Sequence, residues 1–175
     1  MSSTFTTPIR IFKRNNPTND GTIAPDNTGA ASATQQVTFS GVNAAGAIST
    51  FQVGSPTTPD PVIIPAGSLI SNVRLFETTA PSAFTGLVIT VAVGGVTIGT
   101  ITPLTTGGVI SLVTATTTAG AAKMANVGTS DVTMTFTVGT TSGVTGTLAG
   151  TFDVNYVPRN LDGSIIAYGS GFTNS

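Results

Sequence analysis

The run Val62–Glu77, VIIPAGSLISNVRLFE, constrains the fold more than any other stretch. An apolar triplet, Val62, Ile63 and Ile64, breaks at Pro65-Ala66-Gly67 and resumes as a strict alternation. Leu69, Ser71, Val73 and Leu75 fall on one side, and Ile70, Asn72, Arg74 and Phe76 on the other. Successive side chains of a strand leave opposite faces of a sheet, so period two is the signature of a half-buried strand. Proline fixes φ and gives up a donor, and glycine accepts the unusual φ that follows, which makes Pro-Ala-Gly a corner. The stretch therefore predicts a strand, a corner, and a longer strand central to a sheet.

The same period recurs downstream. Strands are expected over 37–42 and 47–53, with the proline-rich 55–61 as a loop between them and Val62. Leu87, Ile89, Val91 and Val93 line one face of a further strand; Gly94-Gly95 then supplies a two-residue hairpin turn into 96–101. A strand over 109–114 precedes TTTAGAAKMAN (116–126), which loses the period and reads as a loop or one short helical turn. Val132, Met134, Phe136 and Val138 alternate with Asp131, Thr133, Thr135 and Thr137. The last strand points Leu148, Gly150, Phe152, Val154 and Tyr156 inward, and Thr147, Thr151, Asp153 and Asn155 outward. Short strands with turns every ten to fifteen residues predict an all-β fold: a single, jelly-roll-like β-sandwich over 36–158. An extended N-terminal arm (1–35) and a short C-terminal tail (159–175) flank it. Strand order stays open beyond the Gly94-Gly95 hairpin.

Composition matters because it says what wets this surface. Charged residues are only 7% of the chain, and net charge is −1. Threonine is the commonest residue, ahead of 21 glycines. A β-branched hydroxyl residue suits the solvated face of a strand, so hydroxyls are expected where most proteins place charges. So little net charge gives weak protection from self-association, and a β protein of this kind must cover or pair its edges.

Chemistry is excluded mainly by missing side chains. Cysteine and histidine are absent, which removes disulfides, thiolate and Ser-His-Asp catalysis, and the usual zinc ligands. Asp60, Glu77, Asp131 and Asp153 are the acids outside the tails from which a glycosidase pair would have to come, and Asp131 and Asp153 fall on outward strand faces, where a lone acid more often solubilises or guards an edge. Asp153 and Asn155 share a face and could offer two oxygens to calcium, which needs six to eight. No phosphate-loop motif is present. The expectation is no catalytic residue, no cofactor and no metal. MSSTFTTPIRIFKRNN lacks the apolar run of a secretory signal, and Leu87–Val93 falls far short of a membrane span.

The arm carries the one unusual cluster, Ile9-Arg10-Ile11-Phe12-Lys13-Arg14, with half of the six basic residues. Ile9, Ile11 and Lys13 alternate with Arg10, Phe12 and Arg14, so the segment could add as a strand to another sheet. One reading is a solvated tail; the other is a docking arm that orders on its partner. With Phe5, these seven residues are the candidate partner-binding set. Three cations would neutralise few phosphates, so no nucleic-acid partner is expected.

The run Ile64-Pro65-Ala66-Gly67-Ser68-Leu69-Ile70-Ser71-Asn72-Val73 resembles a phrase of tailed-bacteriophage structural proteins, in which such a corner enters an alternating strand. The closing Gly150-Thr151-Phe152-Asp153-Val154-Asn155-Tyr156-Val157 is similar to the last strand of such domains. The resemblance covers about residues 60 to 158. It implies a non-enzymatic capsid decoration (cement) protein, a head protrusion or a fibre component, made in the host cytoplasm and residing on the virion. It also implies a homo-oligomer, with a trimer favoured, whose arm bridges subunits of the major capsid protein. The alternative is a fibre or protrusion module that recognises host glycan or surface protein. Lectin sites usually show exposed aromatics, and this chain has no tryptophan and two tyrosines, of which Tyr156 is expected in the core.

Overall fold

A computed structural model of the chain describes residues 32–54, 61–139 and 141–159. In chain order the elements are β1 (Ala33–Ala44), β2 (Ala47–Val53), β3 (Val62–Ile64), β4 (Leu69–Thr79), β5 (Ala83–Thr85), β6 (Ile89–Val93) and β7 (Val96–Ile101). They continue as β8 (Gly108–Ser111), β9 (Val113–Thr114), α1 (Thr118–Ala125), β10 (Val132–Val138), β11 (Ser142–Thr145) and β12 (Leu148–Val157). Two five-stranded antiparallel sheets run β2-β1-β12-β4-β8 and β3-β10-β6-β7-β9, with a small β11-β5 ribbon beside them.

Within these sheets, β1-β12-β4-β8 faces β3-β10-β6-β7. The first and last described strands pair, and among these eight strands the chain changes layer at every step except β6 to β7. This interleaving of Greek keys is the jelly roll, so the expected all-β sandwich is the observed fold. β2 and β9 extend one edge of each sheet.

Each alternating run folds for the reason its pattern gives. Ile89, Val91 and Val93 of β6 are fully buried, as are Val73 and Leu75 of β4 and Phe152 and Val154 of β12. Phe152 stands at the centre: the Phe136 ring from the opposite sheet stacks on it at 4.0 Å, and Phe39 lies 4.5 Å away. Gly94 and Gly95 both take positive φ, 55° and 80°, which a primed hairpin turn requires.

The central stretch folds as a strand, corner and strand, with β3 and β4 in different sheets. The corner is pinned from the loop before β10: Asp131 Oδ1 accepts from Ala66 N at 2.9 Å, and Gly67 N donates to Gly128 O at 2.7 Å.

Three readings change. The alternation of β4 breaks between Ile70 and Asn72. Tyr156 pairs with Ile70 and Asn155 with Asn72, so Ser71 is an extra residue, and Ile70 turns inward with Val73 and Leu75. A bulge of this kind moves one apolar residue to the core face at the cost of one ladder position. The expected 109–114 strand divides into β8 and β9, because the chain steps at Leu112 from one sheet's edge to the other's. The 116–126 stretch forms an eight-residue helix, two turns instead of one at most. Thr117 caps it, its side chain accepting from Gly120 N at 3.1 Å. β5 and β11 had no apolar alternation to announce them.

Candidate functional site

The seven residues expected to bind a partner, Phe5, Ile9, Arg10, Ile11, Phe12, Lys13 and Arg14, lie outside the described residues. What the structure does place are the acids and the two sides of the sandwich.

The acids stand apart. Glu77 is on the inner face of β4 at one end of the core, 6% exposed, and its Oε2 accepts from Leu104 N at 3.0 Å. Its Oε1 is buried without a hydrogen bond, and burial pushes the carboxyl above the usual carboxylate range, partly offset by the Leu104 bond. Asp153 is on the opposite face of the same sheet, as its outward position predicts. It is nevertheless covered, at 5% exposed. Arg74 reaches it at 3.7 Å while lying over the Phe76 ring at 5.4 Å, and Asp153 Oδ1 is left without a hydrogen bond. The Asn155 side chain is engaged by Thr34 Oγ1 at 2.6 Å, so Asp153 and Asn155 do not aim two free oxygens at one point. Asp131 is spent on the corner. Among the described residues no group of three or more acids converges on a common point.

The two sides of the sandwich differ. On one, β8 passes through Leu112 straight into β9; Leu112 N donates to Val73 O and Ala115 N to Ile98 O, both at 2.8 Å. That continuous segment ties one sheet to the other. Gly99 permits it, since a Cβ there would meet Val113 O at 2.3 Å.

On the other side the edge strands are β2 and β3, and β3 has three residues against seven in β10. Pairing between them runs only from Val132–Ile64 to Met134–Val62. Further along, the ladder to β6 fixes which groups point where. Gly94 N donates to Thr133 O and Gly139 N to Val88 O, so the odd-numbered residues of β10 bond toward β6. By the alternation of an antiparallel ladder, Phe136 and Val138 aim their N–H and C=O away from β6. No described strand pairs with them there.

Below this half-edge lies a groove of about 440 Å³, lined by Phe51, Val53, Val62, Met134 and Phe136 with Pro61, Thr133 and Thr135. A second groove, of about 270 Å³, is lined by Gln35, Gln36, Val37, Pro61 and Val62. The two share Pro61 and Val62, so together they lead from the start of β1 to the stretch of β10 that no described strand pairs. No charged side chain lines either one. An apolar floor beside backbone groups that no described strand pairs is a surface on which an extended segment can lie.

No family model, curated protein or solved structure matches this chain. The site therefore rests on its geometry. Reading the sequence residue by residue did not pick out Phe51, Val53 or Phe136 as its lining. The available signal was the alternation of Met134 and Phe136 on β10 and the apolar Phe51 and Val53 that end β2.

Proposed function

We propose that this chain is a non-enzymatic virion structural protein, a capsid decoration (cement) protein of a tailed-phage head. Its jelly-roll body sits on the outside of the shell, and its N-terminal arm ties that body to the major capsid protein. The observation that carries the reading is the asymmetric sandwich, stitched shut along one side by the β8–β9 segment and bearing on the other an apolar groove beside β10 and the exposed threonine row of that strand. Such a side is suited to the attachment of a partner, and among the described residues no charged side chain lines its grooves. Two features support it. Thr133, Thr135 and Thr137 form an exposed hydroxyl row on β10, and the corner and closing strand resemble those of phage structural proteins. Many weak attachments repeated over a lattice would stabilise a shell by multivalency, and a trimeric body would multiply them.

The test is loading onto particles. Purified chain is mixed with heads that lack it, and the heads are imaged by electron microscopy. Regular added density is the expected result; bare heads would sink the proposal, and selective binding on a glycan array would put a host-recognition module in its place. Deleting residues 2–30 should abolish loading. Undiminished loading would remove the arm's role and leave the decoration reading intact.

A further inference from the structure

We infer that Glu77 is a latch for the connection from β7 to β8, residues 102–107: the loop stays shut over one end of the sandwich while the carboxyl keeps its proton, and it loosens when the proton leaves. This goes beyond the virion reading and does not depend on it.

Three observations lead there. First, the loop carries the chain from one sheet to the other, and it is tied to β4 by the bond that Leu104 N donates to Glu77 Oε2 at 3.0 Å. Thr102, Leu104, Thr105 and Thr106 are exposed and only Pro103 among them is buried, so little apolar packing holds the loop besides that bond. Second, its far end is a joint of two glycines at positive φ, Gly107 at 71° and Gly108 at 142°. Backbone without a Cβ turns there at low cost, and loop-end positions of this kind serve as hinges. Third, the carboxyl is poorly satisfied. It is 6% exposed and its Oε1 is buried without a hydrogen bond, so an ionised Glu77 has one donor where water would supply several.

No described charge makes up the difference. β12 sets Gly150 beside Glu77, and β8 sets Gly108 there. β5 to β9 and the loops that join them, 102–107 included, have no ionisable side chain. On β4 and β12 the others are Arg74 and Asp153, paired on the outer face, and Tyr156 at the opposite end beside Ile70. Loss of the proton therefore strands a charge that only water can satisfy, and loosening the loop admits water. Burial accordingly holds the carboxyl above the usual carboxylate range, and the Leu104 bond, which favours the charged form, offsets only part of this. The closed loop binds the proton more tightly than the open one does. Its extra stability is fully present below the open-state pKa and is lost as pH rises through the closed-state one.

Amide hydrogen exchange on the full-length chain and on Glu77→Gln, at matched pH from about 4 to 8, tests this. Glutamine keeps an acceptor for Leu104 N–H and cannot ionise, and the intrinsic exchange rate cancels in the ratio of the two proteins. The Leu104 amide should exchange equally in both at the acid end, and at least about threefold faster in the parent at the alkaline end. In the parent it should also exchange well ahead of the Leu112 amide, which bonds to Val73 O within the fold. A parent-to-variant ratio that does not change with pH would overturn the inference. A Leu104 amide no faster than that of Leu112 would overturn it too, because the loop would then open only when the whole sandwich does.

Discussion

At Gly150 a single hydrogen atom decides whether two strands can pair. A Cβ built there would lie 2.0 Å from Phe76 O and 3.0 Å from the Phe39 ring. Neither neighbour can retreat: one is backbone in the adjacent strand, and the other is packed on Phe152. Gly150→Ala should therefore cost about 3 kcal/mol or more, as overpacking at a rigid site does. Gly95→Ala meets no atom within 4 Å but must hold φ near 80°, so only the left-handed conformation is penalised, by about 1 kcal/mol. Urea midpoints of the two variants check the contrast, and equal losses would mean that space at Gly150 is not the constraint. Glu77 gives the pH-dependent case. Its folded-state pKa is raised by burial, so the folded chain holds this proton more tightly than the unfolded chain does. The contribution is fully present below the unfolded pKa and is lost as pH rises through the folded one. Glu77→Gln keeps an acceptor for Leu104 N–H and carries no charge. Its melting temperature should exceed the parent's at pH 7 and match it below about pH 4. A constant difference across that range would show that ionisation at Glu77 is not responsible.

At the scale of elements, the corner between β3 and β4 shows how a turn is held from outside itself. Pro65-Ala66-Gly67 bends the chain, with Gly67 at φ 73°, but the bend is fixed by Asp131, which accepts from Ala66 N. Asp131→Ala leaves that donor to water and should cost about 1–2 kcal/mol, read as a shift in urea midpoint with unchanged slope. The corner and its two strands were legible because proline, glycine and period two are local signals. The Gly94-Gly95 hairpin and the inward row of β12 were legible for the same reason. What escaped was set by neighbours. The bulge at Ser71 exists because β12 pairs there out of step, and nothing within β4 announces it. The helix α1 forms over an alanine-rich octet whose Gly120 must pass Thr97 O, 2.8 Å from where a Cβ would stand. That is a packing constraint with no local periodicity. The candidate groove was legible only as apolar residues of β2 and β10, whose meeting is a property of the jelly roll.

Over the whole molecule, one aromatic cluster joins the layers. Phe152 of the β12 sheet is fully buried. Phe136 comes to it from the opposite sheet, Phe39 from the neighbouring strand, and Phe51 from the edge strand β2 at 6.5 Å. The rings link the core to the groove, since Phe51 and Phe136 also line it. Phe152→Ala would leave a ring-sized void bounded by both sheets and should cost about 3–5 kcal/mol. Because strands from both layers interleave in sequence, neither sheet can be assembled without the other, and the loss should appear in one cooperative transition. The near-ultraviolet signal of Tyr156, which is 8% exposed, should move with the far-ultraviolet strand signal along the urea axis. Val113→Ser is the control: at 68% exposed on the stitched side, it should shift stability by less than about 0.5 kcal/mol. Two separated transitions in Phe152→Ala would mean that the sheets hold together by their own ladders, and that the aromatic cluster is not what makes the sandwich a single unit.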